Sequence, residues 1–272
     1  MSERGGASGA RRGGWSGAPR LVDRPWPDVG RPLLLVPLGS TEQHGPHLPL
    51  DTDSTVASVV CEALAARFAA DGVDAVIAPA ITYGASGEHE DFPGTISIGT
   101  QALTFLLLEF GRSASSWAER IVFVNGHGGN VEALSAAVPV LLDEERPAAW
   151  LPCVPDRARI DERVGPLDAH AGRSETSVML AHDATRVRAD GLEQGNVGPI
   201  GELMPRLRDE GTRRVSPNGV LGDARPASAA EGELLLDAIV EGAWSRLSDG
   251  RVDDRGCLVT SRGGSFDEPV GA

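Results

Sequence analysis

Leu33-Leu34-Leu35-Val36-Pro37-Leu38, followed by Gly39-Ser40-Thr41-Glu42-Gln43-His44-Gly45-Pro46-His47-Leu48-Pro49-Leu50-Asp51-Thr52-Asp53, joins an apolar run to a polar loop punctuated by Gly and Pro. A run that is apolar at every position reads as a strand buried on both faces. Open α/β sheets carry their sites in the loops after such strands. Glu42 and His44, two residues apart at the frayed end of the strand, are expected to project the same way. Asp53 stands just ahead of Ser54-Thr55-Val56, where it is expected to cap a helix and offer both carboxylate oxygens outward. One imidazole and two carboxylates do not complete a divalent site, so further ligands are expected elsewhere in the chain.

Outward from that loop, the pattern alternates buried strands with amphipathic helices. Thr55 to Ala70 reads as a helix through Val56, Val59, Val60, Leu64 and Phe68, and Ala75-Val76-Ile77-Ala78-Pro79 as a second strand. Ile96-Ser97-Ile98 is expected to form a short strand, Gln101 to Trp117 a helix, and Ile121-Val122-Phe123-Val124 a third buried strand. Val131 to Leu142 is helical and Ala148 to Val154 a fourth strand. The alternation predicts an α/β fold with a mainly parallel sheet covered on both faces. Residues 185–227, rich in Gly, Pro and Arg, show no periodicity, and Ala229 to Leu247 closes the fold as a helix. Residues 1–30 are expected to be a loose arm, 31–248 a single domain and 249–272 a flexible tail.

Composition removes several function classes. The net charge of -14 offers no basic patch for nucleic acid. All 25 basic residues are arginine, so Schiff-base chemistry, pyridoxal phosphate anchoring and a Gly-Lys phosphate loop are excluded. Cys61, Cys153 and Cys257 lack any Cys-x-x-Cys spacing, which predicts neither a disulfide framework nor a thiolate zinc site and suits the cytoplasm. No apolar run has the length of a membrane span, and the first residues lack the apolar core of a signal peptide.

Five of the six histidines, His44, His47, His89, His127 and His170, fall in Gly-rich loops after predicted strands. In Asn125-Gly126-His127-Gly128-Gly129-Asn130, glycines flank an imidazole and let the backbone turn sharply to present it. The spacing does not fit a dinucleotide fingerprint, since position 131 is valine. Gly84-Ala85-Ser86-Gly87 does not match the nucleophile elbow of serine hydrolases.

Four ordered motifs now carry a resemblance. The loop from Thr41 to Asp53, Gly-Glu-His-x-x-Phe-Pro-Gly-Thr at 87–95, the Asn-Gly-His-Gly-Gly-Asn loop, and His-Ala-Gly-x-x-Glu-Thr-Ser at 170–177 resemble the creatininase (creatinine amidohydrolase) family from Leu33 to Leu180. The resemblance implies a three-layer α/β/α sandwich, a homohexamer and two divalent metal ions per subunit, with Zn, Fe(II) or Mn all suited to mixed nitrogen and oxygen ligands. It implies Glu42, His44, Asp53 and His127 as ligands, with Asp53 the bridge. Creatininases proper carry a glutamate two residues after the matching histidine, where this chain has Gly129. Glu175 is the candidate replacement; its alternative role is that of an acid favouring a helix N-terminus. His170 is the candidate for proton transfer to the departing amine, its alternative being to orient Glu175. Glu88 and His89 are expected to line the substrate pocket, and His47 to support the loop.

The expected activity is metal-dependent hydrolysis of an amide or peptide bond. Within the family the resemblance implies a peptidase that trims a modified precursor peptide and releases a Val-Tyr-derived dipeptide in redox cofactor biosynthesis. A small cyclic amide or formamide as substrate, or a non-catalytic metal-stabilised scaffold, are the competing readings.

Overall fold

The computed structural model describes residues 17–156, 160 and 162–260. The apolar runs form β1 (Leu33–Leu38), β2 (Ala75–Ile77), β3 (Arg120–Asn125) and β4 (Ala148–Pro152), all parallel, in the order β2-β1-β3-β4. Side chains alternate across a strand. Leu33, Leu35, Val122, Val124 and Leu151 therefore enter one core, while Leu34, Val36, Leu38, Ile121, Phe123 and Trp150 enter the other. The first core is closed by α1 (Thr52–Ala70) and α7 (Ala229–Asp249), which contribute Val60, Leu64, Leu235 and Ile239. The second is closed by α2 (Gly99–Ala114) and α3 (Val131–Asp143) through Leu103, Leu107, Leu134 and Leu141. The result is the three-layer α/β/α sandwich with a parallel central sheet. Each fully buried leucine contributes roughly 1.5–3 kcal/mol, so with a core on either side β1 has no position at which a polar residue is cheap.

The topology places the site. After β1 the chain leaves through α1 into the first layer, and after β3 it leaves through α3 into the second. The seam between β1 and β3 is thus a switch point, and a crevice opens at the carboxyl ends of these strands. Two glycines let the start of α1 press into it. A Cβ on Gly39, just past β1, would lie 2.4 Å from the Ser54 amide nitrogen, and one on Gly126, just past β3, 2.4 Å from the Asp53 carbonyl oxygen.

Several expectations need correction. Helix α1 starts earlier than read: Asp51 is its N-cap residue, and Asp53 lies inside its first turn rather than at the cap. Ile96-Ser97-Ile98 forms no strand, because Ile96 donates to the Thr41 carbonyl and Ile98 to that of Gly84, one bond to each of two segments instead of a ladder. The arm expected to be loose is tied down from residue 17 on. Arg20 bridges to Ile77, the Ile77 amide donates to the Pro19 carbonyl, and Arg24 pairs with Asp74 at 2.7 Å. At the other end the chain past Asp249 forms a hairpin of β5 (Arg251–Val252) and β6 (Leu258–Val259), and Cys257 bridges to Trp150 of β4. Both edges of the sheet are covered in this way, which blunts edge pairing. Residues 1–16 and 261–272 of the expected arm and tail lie outside the described residues.

The segment 185–227 carries α5 (Ile200–Glu210) and α6 (Thr212–Val215), which share a small core of Leu203, Leu207, Val215 and Leu221. Four buried positions, with Pro205 inside α5, are too few to print a helical period on the sequence. Helix α4 (Arg173–Asp183) precedes this segment and packs on α7.

Candidate metal centre

Glu42, His44, Asp53, His89, His127 and His170 converge in the crevice, and all are buried. Glu175 joins them from the first turn of α4, with its side chain 32% exposed. The loop that carries Glu42 and His44 is folded by its own backbone: the Glu42 amide donates to the Leu50 carbonyl and the Leu48 amide to that of His44. The Gln43 amide donates to Thr95 Oγ1 at 3.0 Å, which gives the Phe-Pro-Gly-Thr motif a structural task.

Asp53 stands between two imidazoles, with Oδ1 3.1 Å from His44 Nε2 and Oδ2 3.3 Å from His127 Nδ1. The other nitrogen of each ring faces a backbone carbonyl, an acceptor only. His44 Nδ1 donates to the Glu42 carbonyl at 3.2 Å, and His127 Nε2 to that of Ala85 at 3.1 Å. Each neutral ring therefore turns a bare nitrogen lone pair toward the same carboxylate, the arrangement in which an outer hydrogen bond orients a metal-ligating histidine. Lone pair against lone pair is repulsive unless a cation lies between. Glu42 Oε1, Glu42 Oε2 and Asp53 Oδ2 are also buried without a hydrogen-bond partner, a costly condition that a cation would relieve. The residues thus fit divalent metal.

Without metal, protons take that place. Burial lowers the His44 pKa, but the charge and hydrogen bond of Asp53, with Glu175 and Glu42, outweigh it and carry the group up to about 10. His127 is raised in the same sense by Glu42 and Asp53 against its burial. Burial, together with nearby Asp53, pushes Glu42 up to about 7.

Three groups of side chains have donor atoms close enough to share an ion: Glu42, Asp53 and His127; His44, His170 and Glu175; and Glu42, His89 and His170. Glu42 is common to the outer two, with Oε2 3.2 Å from His127 Nε2 and Oε1 3.5 Å from His89 Nε2 and 3.7 Å from His170 Nδ1. The rings of His44, His170 and His89 follow one another with centroids 4.4 Å apart at each step. Burial and the neighbouring imidazoles hold His89 down to about 3 and His170 well below its ordinary value, so both are neutral at pH 7.

All eight residues singled out from the sequence are brought together, Glu88 at the rim with Oε1 4.0 Å from His89 Nε2. Glu175 accepts from the Ala171 amide at 2.6 Å. That amide, rather than the His170 ring, orients the carboxylate, and Ala171 adopts φ 51° to deliver it, a left-handed conformation costing about 1–2 kcal/mol. His47 Nε2 meets Thr176 Oγ1 at 2.8 Å and so supports the loop against α4.

Sequence reasoning missed the residues that brace the site. Asn130, fully buried, accepts from the Ala85 amide and donates to the Gly39 carbonyl and Asn125 Oδ1. It ties the loops after β1, β2 and β3 to one another. Gln43 does the same for His89 and the segment after α6. The only signal for either was its place within a motif already chosen for its histidines.

A parallel sheet with imidazoles and carboxylates gathered at its switch point defines a metal-dependent hydrolase of the α/β/α class. The family profile described as creatininase, creatinine amidohydrolase, matches residues 24–247, and the chain belongs to that family. It is 54% identical over 84% of its length, and 89% of the relative's, to the mycofactocin precursor peptide peptidase of Mycolicibacterium smegmatis. Among solved structures, a single-substitution creatininase superposes with a TM-score of 0.69 at 27% identity, covering 85% of this chain and 98% of that one. A creatininase variant of Zn-Zn type gives 0.67 at 26% identity, over 85% and 97%.

Proposed function

We propose that this protein is a two-metal peptidase that trims the modified mycofactocin precursor peptide near its C-terminus, releasing a Val-Tyr-derived dipeptide in redox cofactor biosynthesis. The observation that carries this reading is the 54% identity to the M. smegmatis precursor peptide peptidase over 84% of this chain and 89% of the relative. The donor set converging on Asp53 supplies the chemistry.

Glu42, Asp53 and His127 would hold one divalent ion and Asp53, His44 and Glu175 the second, with Asp53 shared. Zn, Fe(II) and Mn all suit these donors. Bound there, the ions supply a water acidified toward neutral pH and a Lewis acid for the amide carbonyl. The chain's own groups do the rest. His170 is neutral and presents Nδ1 to the Glu42 side of the cluster. A bare imidazole nitrogen beside the cluster can take the proton that the attacking water loses and hand it to the departing amine. Glu88 and His89 line the place where substrate enters.

A cleft of about 340 Å3 opens one residue from His170, lined by Leu167, Asp168, Arg173, Val197, Ile200 and Leu221. It is built partly by the 185–227 segment and offers room for side chains beyond the reacting bond, as a peptide needs. Position 129 departs from creatininases proper for a steric reason: a Cβ there would lie 2.2 Å from the Ala85 carbonyl oxygen and 2.5 Å from His127 Nε2. A homohexamer in the cytoplasm, with neither nucleic acid nor membrane as partner, completes the proposal. The net charge of -14 fits it, as does the lack, among the described residues, of any helix long and apolar enough to cross a membrane.

The test is incubation of metal-loaded protein with modified precursor peptide and, separately, with creatinine, followed by mass spectrometry beside a chelated control. Chelator-sensitive release of the C-terminal dipeptide is the expected result. Ring opening of creatinine alone would replace this reading with the small-amide one, and turnover of neither with the scaffold.

A further inference from the structure

Gln43 lies between two residues of the metal cluster yet points away from both, and its amide is surrounded by groups of fixed polarity. Oε1 accepts from the Gly45 backbone amide at 2.9 Å, and Nε2 donates to the Gly219 carbonyl at 3.1 Å. A backbone N–H only donates and a backbone carbonyl only accepts, so the orientation of this amide is settled without reference to any side chain. The remaining hydrogen on Nε2 goes to His89 Nδ1 at 2.8 Å. His89 Nδ1 is thereby an acceptor, and in the neutral ring the proton sits on Nε2, which faces Glu42 Oε1.

The main chain of the same residue settles the neighbouring ring. His170 Nε2 lies 2.8 Å from the Gln43 carbonyl oxygen, so it carries a hydrogen and leaves Nδ1 bare. Gln43 Nε2 also lies 2.9 Å from His170 Nε2, but a ring nitrogen that donates to the carbonyl has no lone pair to accept with, so the amide hydrogens serve Gly219 and His89. The fit depends on Gly219: it has φ +80°, and a Cβ there would collide with the Gln43 side-chain amide.

We infer that Gln43 is a positioning residue that sets the tautomers of His89 and His170 and so takes His89 out of the ligand set. With a hydrogen on Nε2, His89 has no lone pair to offer. The group of Glu42, His89 and His170 is then disqualified as an ion site, although its atoms are close enough, and the groups Glu42, Asp53 and His127 and His44, His170 and Glu175 remain. His89 instead presents an N–H toward the Glu42 and Glu88 carboxylates, while His170 presents a bare nitrogen. One residue thus presets a donor and an acceptor side by side. The tautomer assignment stands on hydrogen-bond geometry; its role in turnover rests on the hydrolase reading.

The experiment is long-range 1H–15N correlation on histidine-labelled, zinc-loaded protein, whose ring nitrogen shifts distinguish the tautomers. In the wild type, His89 and His170 should both show the Nε2–H form. Gln43→Glu replaces the donor by an acceptor and should move His89 alone to the Nδ1–H form, His170 being held by the main chain. The same variant should keep two ions and lose turnover roughly 10–100-fold, the scale of outer-partner losses. Wild-type His89 in the Nδ1–H form, or no change in Gln43→Glu, would overturn the inference; if the variant does not fold, the wild-type spectrum alone decides. A tautomer switch with unaltered turnover would overturn the role in turnover while leaving the hydrolase reading in place. Failure of the wild type to cleave any amide would count against the hydrolase reading and not against the tautomers.

Discussion

The two halves of the cluster are built differently. Glu42 and His127 come from the loops after adjacent strands and Asp53 from the first turn of α1, and they are 0%, 6% and 3% exposed. The other half pairs His44 with Glu175, whose side chain is 32% exposed and is held by the amide of a strained alanine. One half is a closed, desolvated pocket over the sheet; the other includes a carboxylate that reaches solvent. In the closed half the charges are screened little and the donors cannot relax. In the open half water reaches the Glu175 carboxylate. The open half is therefore expected to lose its ion first to a chelator.

Asp53 is the one residue common to both halves, and its removal is the sharpest way to break the distinction. Asp53→Asn should strip both ions and abolish turnover, a loss in affinity beyond the roughly 100-fold that an outer partner costs, as read by metal analysis after gel filtration. Glu175→Gln should separate the halves, with bound metal falling from two equivalents to one and activity lost with it. Full occupancy with normal turnover would remove Glu175 from the site. His170→Ala should touch neither half: metal stays, and kcat falls by about 10²–10⁴, the usual share of a proton-transfer group. An unchanged rate would end that role.

Protonation gives a subtler distinction. An ion bound at His44 Nε2 must displace the proton that Asp53, Glu175 and Glu42 retain there, against burial, up to about pH 10. Metal affinity should therefore rise with pH, by up to about tenfold per unit for each proton released. Below about 7, where buried Glu42 is also protonated in the metal-free chain, the slope should steepen. Calorimetry in buffers of different ionisation enthalpy counts those protons, and a flat profile between pH 6 and 8 would contradict the geometry. A smaller effect is expected at Gly129→Ala, where the added methyl meets the Ala85 carbonyl and the His127 ring; overpacking of this kind costs about 1–3 kcal/mol, read as a lowered Tm together with weaker metal binding through the displaced imidazole.

How much of this was legible in the sequence follows the same division. The closed half was readable because Glu42, Asp53 and His127 sit in short motifs directly after unbroken apolar runs, and a buried parallel strand has few other ways to look. The sandwich followed from the same runs, since both neighbours of β1 are strands of the same kind. The open half was only partly visible. Glu175 stood out because position 129 lacks a carboxylate, but its anchor is a backbone amide, and no sequence pattern announces a backbone group. The Gly219 carbonyl, delivered by a segment without periodicity, was invisible for that reason. Short helices such as α5 and α6, with four residues in their core, bury too little to impose a pattern. The edge-covering turns at residues 17–30 and 251–259 were missed because pairing by one or two backbone bonds asks nothing of the side chains.

The most direct measurement is a crystal structure of zinc-loaded protein with anomalous data at the zinc edge. Two peaks are expected, both within ligand distance of Asp53, one shared with Glu42 and His127 and the other with His44 and Glu175. A single peak, or one lodged between His89 and Glu42, would contradict the account.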